Sequence, residues 1–348
     1  MTITSLPTIW NHEGKLRSLN LEAIAPLVAA SLFGLISGFN DGGNLIASFT
    51  SGRVISPRIA GLLLLFSLAG PLALGTAVAQ TVGTNVIDLR AQGELSFVLI
   101  TLSPLCVVLL SLMFGIPTSM TLALVGAMLG WVLASGNQTG IQWTGVARIL
   151  IGMPISVLGG GLLALTVYRT VRRFLGTRPH ASLLSLARFQ FVTAAIQAFA
   201  YGANDMEKTV GLIAVAVSLP NHGQPVAFAG AAPIIGAFGF FFAGALIGGS
   251  RVAGRVGLGV LKVRPMQALS QQLASGTVVS VLALAGAPVS MTQTIDGGLV
   301  GVGAALRASS VRWGIVREML GSWLLTLPLA LVFAAVLHLV VRVTGLAP

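Results

Sequence analysis

Apolar stretches longer than about 18 residues and nearly free of charge recur from Leu21 to the C-terminus, each long enough to cross a hydrocarbon layer of about 30 Å as a helix. Roughly ten to twelve such segments fit along the chain. The composition agrees: 55% of the residues are apolar and 8% are charged, where a soluble domain carries about a quarter charged. Because the apolar segments are spread evenly, no room is left for a soluble domain. The expected fold is an all-α polytopic membrane protein, preceded by a polar segment at 1–20 that lies at the interface.

The net charge of +11 does not point to nucleic acid, since the basic residues form short clusters between apolar segments instead of one stripe. Such clusters mark cytoplasmic loops. Cys106 is the single cysteine and lies within an apolar run, which excludes a disulfide framework and a thiolate metal site and leaves packing as its expected role. The four histidines are scattered without metal-ligand spacing. Trp10, Trp131, Trp143, Trp313 and Trp323 fit interfacial anchoring. Gly159-Gly160-Gly161 and Gly248-Gly249 lack the Lys-Ser/Thr of a phosphate loop, so close helix packing is their expected use. Because Glu13 and Glu22 precede the first apolar run, that run is read as retained in the membrane.

The chain also repeats itself. Gly38-Phe39-Asn40-Asp41 is echoed by Gly202-Ala203-Asn204-Asp205, and Gly115-Ile116-Pro117-Thr118-Ser119-Met120-Thr121 by Gly286-Ala287-Pro288-Val289-Ser290-Met291-Thr292, at offsets of 164 and 171 residues. Two matches in the same order at nearly one offset indicate duplication. The expected organisation is a first repeat at 21–168, a basic cytoplasmic linker at 169–186 and a second repeat at 187–341. Equivalent loops carry opposite charge bias: Arg53 and Arg58 follow the first Asn-Asp segment, whereas Pro220 to Gln224 has no Lys or Arg and the basic residues Arg251, Arg255, Lys262 and Arg264 come one loop later. Inverted topology produces that pattern.

Among nine carboxylates, Asp41, Asp205 and Asp296 fall in or beside apolar runs, where an unpaired charge costs about 3 kcal/mol or more. Three glycines in the seven residues Gly38–Asn44 lower helix propensity by about 1 kcal/mol each, so the helix is expected to break there and offer backbone carbonyls together with the oxygens of Asn40, Asp41 and Asn44 to a small cation. The second copy offers Asn204 and Asp205, and adds Lys208, which can hold an anion as a point charge or neutralise Asp205 or Glu207. Pro117 and Pro288 interrupt apolar runs ahead of the hydroxyls of Thr118, Ser119, Thr121, Ser290 and Thr292. That arrangement suits a re-entrant hairpin whose tip presents N–H and O–H donors to a tetrahedral oxyanion, although Ser and Thr in membrane helices also bond back to their own backbone or join neighbouring helices.

On these residues the chain resembles the inorganic phosphate transporter (PiT) family. Its two Gly-Ala-Asn-Asp-type signatures match Gly38–Asn44 and Gly202–Thr209, and its two Pro-x-Ser-x-Thr-His hairpins match Pro117–Leu122 and Pro288–Gln293, in order, over nearly the whole chain. The resemblance implies two inverted repeats, phosphate near Ser119, Thr121, Ser290 and Thr292, and cation sites near Asn40, Asp41, Asn204 and Asp205. The hairpin histidine is replaced by Leu122 and Gln293, and a carboxylate found in the second helix of many relatives is replaced by Ser67. Asp296, which aligns with Val125, breaks the symmetry. The expected function is import of phosphate by sodium or proton symport across the cell membrane. Sulfate or another oxyanion is the alternative cargo, and an intramembrane aspartyl protease or a passive anion channel explains fewer of the motifs. No cofactor or resident metal is expected. The partners are phosphate, the coupling sodium or proton and the lipid bilayer, with a homodimer as the candidate assembly and no nucleic acid.

Overall fold

A computed structural model describes residues 21–113, 118–175, 181–220, 226–252 and 263–345. The polar head at 1–20, the Gly115–Pro117 part of the first hairpin motif, and the segments 221–225 and 253–262 that enter the charge-bias argument lie outside the described residues. Those described are almost wholly helical; the one strand-like pairing among them is a single antiparallel bridge between Ile87 and Ile141.

The chain opens with α1 (Leu21–Ser37), a π turn (Gly38–Gly42) and α2 (Gly43–Ser51), which together form one candidate span from Ile24 to Ser51. A second span, Pro57–Leu74, consists of α3 (Pro57–Leu63), a 3-10 turn (Leu64–Leu68) and α4 (Ala69–Leu74). It starts where Ser56 accepts the Ile59 N–H and Pro57 takes the first helical position, which needs no N–H donor. After the short α5 (Ala77–Gln80) come α6 (Glu94–Met113), α7 (Met120–Ser135) and α8 (Trp143–Leu175).

The second half runs through α9 (Ala181–Tyr201), a π turn (Gly202–Met206), α10 (Glu207–Ser218), α11 (Ala231–Val252), α12 (Pro265–Leu284), α13 (Met291–Leu306) and α14 (Trp313–Val343). Six helices among the described residues are long and apolar enough to span a bilayer. Other segments at that depth are shorter. α7 and α13 have 16 residues each, about 24 Å, less than the hydrocarbon thickness of about 30 Å.

The two Asn-Asp segments do not unwind as expected. Each widens into one π turn with right-handed helical dihedrals on both flanks, such as φ −60° and ψ −46° at Ser37 and φ −62° and ψ −43° at Tyr201. The glycines serve contact instead of breakage: a Cβ on Gly38 would stand 2.0 Å from the Phe241 carbonyl oxygen, and one on Gly202 would stand 1.8 Å from that of Ser67. Helix backbones that touch retain van der Waals contact where hydrocarbon solvent offers no hydrophobic drive, and the π turn lets the helix continue while re-aiming its polar side chains.

Equivalent helices pair across the two halves. α7 packs along α14 and α8 along α13, with Gly126 and Gly130 against the Leu327 and Leu331 carbonyls and Gly297 and Gly301 against those of Val157 and Gly161. This satisfies the close-packing role read for Gly160 and Gly161, which face Thr294 and Gly297. Large apolar side chains such as Leu158, Leu162, Leu324 and Leu329 cover the outside, while Asp41, Gln197, Asp205, Lys208 and Gln271 lie inside. A membrane solvent produces that inversion.

Two further expectations need correction. Trp131 and Trp323 are buried, and Trp131 meets His338 edge-on at a ring separation of 4.7 Å, so packing holds them; Trp143 and Trp313 are exposed. Cys106 lies on the outer face of α6 and is no core residue. Arg169, Arg172 and Arg173 continue α8 helically to Leu175.

Candidate functional site

Both hairpin motifs begin a helix in the same way. Ser119, at φ −107° and ψ 116°, caps α7 by accepting the Leu122 N–H at 3.4 Å; Ser290, at φ −107° and ψ 117°, caps α13 by accepting the Gln293 N–H at 3.4 Å. Each cap leaves its hydroxyl proton free to donate and stands at a partly positive helix end. The two ends meet, since Thr121 of α7 donates to the Val289 carbonyl ahead of α13 at 3.2 Å.

The second Asn-Asp pair is bound to this junction. Asn204 Nδ2 donates to the Ala287 carbonyl at 2.9 Å and its Oδ1 accepts the Val289 N–H at 3.0 Å; Asp205 Oδ2 accepts the Met291 N–H at 3.1 Å. Lys208 fills the middle. Its Nζ donates to Asp205 Oδ1 at 2.7 Å, to Thr121 Oγ1 at 2.6 Å and to the Val289 carbonyl at 2.7 Å, which uses all three ammonium protons. Asp205 and Lys208 are each 1% exposed. Glu207, which the sequence offered as another partner for Lys208, instead accepts the N–H groups of Val78 and Ala79 at the start of α5 at 3.1 and 3.2 Å.

The first pair is built differently. Asp41 Oδ1 accepts from Asn40 Nδ2 at 2.8 Å and from Thr292 Oγ1 at 3.3 Å, and Asp41 Oδ2 lies 3.5 Å from the Ser37 hydroxyl. All of these donors are neutral. Asn44 donates to Thr292 Oγ1 at 3.3 Å, while its own Oδ1 is buried without a partner. Beside it lies a cavity of about 10 Å³ lined in part by Asn44, Ser48, Gln271, Thr292 and Asp296, room for about one water-sized species. Asp296 Oδ2 is also buried and unpartnered, and Asp296 lines a second, mostly apolar cavity of about 340 Å³ between α8, α13 and α14. Thr118 has a buried hydroxyl without a partner.

The sequence reading missed a polar layer next to Asn44. Ser48 Oγ lies 2.9 Å from Gln197 Oε1 and 3.0 Å from Gln271 Oε1; Gln197 donates to Ser275 at 2.6 Å, and Gln272 accepts from Thr193 at 2.9 Å. These residues join α2, α9 and α12. Four glutamines inside two apolar segments, at 190, 197, 271 and 272, were the available signal. Buried amides at membrane depth require partners in the same way that carboxylates do.

An all-helical membrane protein in which two π-turn helices and two capped helix ends enclose buried carboxylates and a buried ammonium is a transporter built to pass ions, not an enzyme. The chain belongs to the phosphate transporter family, whose profile matches residues 37–187 and 176–334. It is 30% identical over 324 residues, 92% of this chain and 97% of the other, to a protein of Rhizobium meliloti (strain 1021) described as "Probable low-affinity inorganic phosphate transporter". A protein of Bacillus subtilis (strain 168) with the same description is 28% identical over 91% of this chain and 96% of its own. The fold matches a solved structure titled "The sodium-dependent phosphate transporter" with a TM-score of 0.76, at 19% identity, over 92% of this chain and 99% of that one. The protein is thus a multi-pass integral membrane protein of a phosphate-transporting family.

Proposed function

We propose that this protein imports inorganic phosphate across the cytoplasmic membrane by cation symport, through a central site shared by two inverted repeats. The observation that carries the reading is the meeting of the α7 and α13 N-termini at one buried ammonium. Ser119 and Ser290 cap these ends with the same dihedrals, and Lys208 holds them together through Thr121 and the Val289 carbonyl. Two helix ends, the hydroxyls of Thr118, Ser119, Thr121, Ser290 and Thr292 and one fixed positive charge suit a tetrahedral oxyanion. Asp41 with Asn40 and Asn44, and Asp205 with Asn204, lie next to that position as candidate cation sites, the charge of Asp205 being met in this structure by Lys208.

Energetics require coupling. Moving one negative charge inward against about 100 mV costs about 2.3 kcal/mol, so uncoupled entry would deplete the cell of phosphate. Sodium is favoured over the proton as the coupling ion because Leu122 and Gln293 replace the hairpin histidines, leaving the closing position of each motif without an imidazole to carry a proton. Uptake of labelled phosphate into proteoliposomes, with sulfate as competitor and sodium and proton gradients imposed separately, tests the reading. Concentrative uptake driven by sodium is expected. Accumulation with no cation gradient and the potential clamped at zero would refute coupling, and sulfate uptake exceeding phosphate would reassign the cargo. Ser119→Ala and Ser290→Ala should each weaken apparent affinity by about 1–3 kcal/mol; unchanged affinity in both would place the anion elsewhere.

A further inference from the structure

The offset of 164 residues that carries Asp41 onto Asp205 also carries Asn44 onto Lys208, and the offset of 171 carries Thr121 onto Thr292. The contacts obey the same correspondence. Asn44 Nδ2 donates to Thr292 Oγ1 as Lys208 Nζ donates to Thr121 Oγ1, so the two side chains take equivalent places beside equivalent aspartates. What differs is the charge delivered there. At Asp205 a carboxylate oxygen, a hydroxyl oxygen and a backbone carbonyl oxygen converge on Nζ at 2.6 to 2.7 Å, a set of hard oxygens of the kind an alkali cation would take. At Asp41 the partners are neutral, the Asn44 oxygen is unpartnered, and a cavity with room for one water-sized species adjoins it.

We infer that the Lys208 ammonium is a tethered substitute for one transported cation: it occupies the Asp205 site permanently, and the single exchangeable cation site is the one formed by Asp41, Asn44 and Thr292. Lysine suits the task because its compact charge ends a flexible stem and brings three donors to one point. A tethered charge cannot be released to the other side, so it neutralises Asp205 through the whole cycle and contributes nothing to the charge carried. One exchangeable cation accompanies each phosphate. With the singly charged phosphate as cargo the cycle is then electroneutral, whereas a second exchangeable site would make it carry one net positive charge inward.

The inference rests on the symport reading, but its test does not need transport. Radiolabelled sodium bound at equilibrium to the detergent-purified protein with inorganic phosphate present, with proton uptake recorded in parallel by pH-stat, counts the cations taken up per chain. One is expected for the natural protein, none for Asp41→Asn, and two for Lys208→Asn, which copies Asn44 into the second site. In proteoliposomes, phosphate accumulation by the natural protein should not respond to a potential of about 100 mV inside negative, where a second exchangeable cation would raise it by up to about 50-fold. Two cations in the natural protein, or one in Lys208→Asn, would overturn the inference. Where Lys208→Asn does not fold, the paired variant Asp205→Asn with Lys208→Asn decides: a count of one supports the tethered charge, and a count of zero refutes it. Phosphate uptake by the natural protein alongside a count of two in that same natural protein would sink this inference and leave the proposed function standing.

Discussion

Replacing each aspartate of the duplicated motif by asparagine should give unequal effects on stability, because only Asp205 faces a charge. In Asp205→Asn the side chain keeps one oxygen where two were used. Either Lys208 Nζ, now at 2.7 Å from Oδ1, or the Met291 N–H, at 3.1 Å from Oδ2, must then face an amide NH₂. Loss of one such bond to a charged group costs about 1.5–3 kcal/mol, and an ammonium at 1% exposure loses its countercharge. Breaking a buried pair by removing one partner costs about 3–5 kcal/mol in all, a fall in melting temperature on the order of 10 °C. Asp41→Asn keeps an oxygen for Asn40 and Thr292 and should change stability by no more than about 1 kcal/mol while abolishing cation-driven uptake. The assay is thermal unfolding of both variants in one detergent, followed by tryptophan fluorescence, with phosphate uptake measured on the same preparations. Equal melting temperatures, or a larger loss in Asp41→Asn, would refute the charge assignment.

Three further outcomes are expected. Gly301→Ala and Gly130→Ala place a Cβ 1.9 and 2.0 Å from backbone carbonyls on the paired helix and should destabilise by roughly 3 kcal/mol or more, whereas Gly321→Ala, which meets nothing within 4 Å, should be neutral or stabilise by up to about 1 kcal/mol; melting curves for the three decide it. Thr139→Cys and Ser309→Cys, at exposed equivalent turns, should label from opposite sides of the membrane in a Cys106→Ala background, and labelling from one side removes inverted topology. Glu207→Ala strips the Val78 and Ala79 N–H groups of their acceptor and should cost about 1–3 kcal/mol while raising hydrogen exchange at residues 78–80; unaltered exchange there would show that α5 holds without it.

Most of the fold was legible because hydrocarbon enforces it: an apolar segment of 18 residues has few alternatives to a spanning helix, and two motifs recur in the same order at offsets of 164 and 171 residues whatever the packing. The helix break at Gly38–Asn44 was misread because glycine lowers helix propensity and permits close approach at once, and only the position of Phe241 decides between them. Trp131 and Trp323 went wrong for a similar reason, since an aromatic ring serves an interface or a core equally well and its partner, His338 or the α8–α13 groove, comes from distant sequence. The glutamine layer was passed over because amides carry no charge and so look cheap to bury.

By itself the sequence determined that the chain lies in a membrane, that two motifs recur in the same order in its two halves, and that Asn40, Asp41, Asn204, Asp205 and the hydroxyls after Pro117 and Pro288 are polar groups the membrane must accommodate. The tertiary structure decided how they are used. Asp41 and Asp205 stand in the same motif, and the sequence itself puts Lys208 three residues after one and Asn44 three residues after the other; what the fold adds are the helix ends brought in from distant sequence, Thr121 and the Val289 carbonyl onto Lys208 and Thr292 onto Asp41. That contact depends on glycines that let helix backbones touch, and the energy of a buried charge depends on its neighbours within a few ångströms, far more than on its neighbours in sequence.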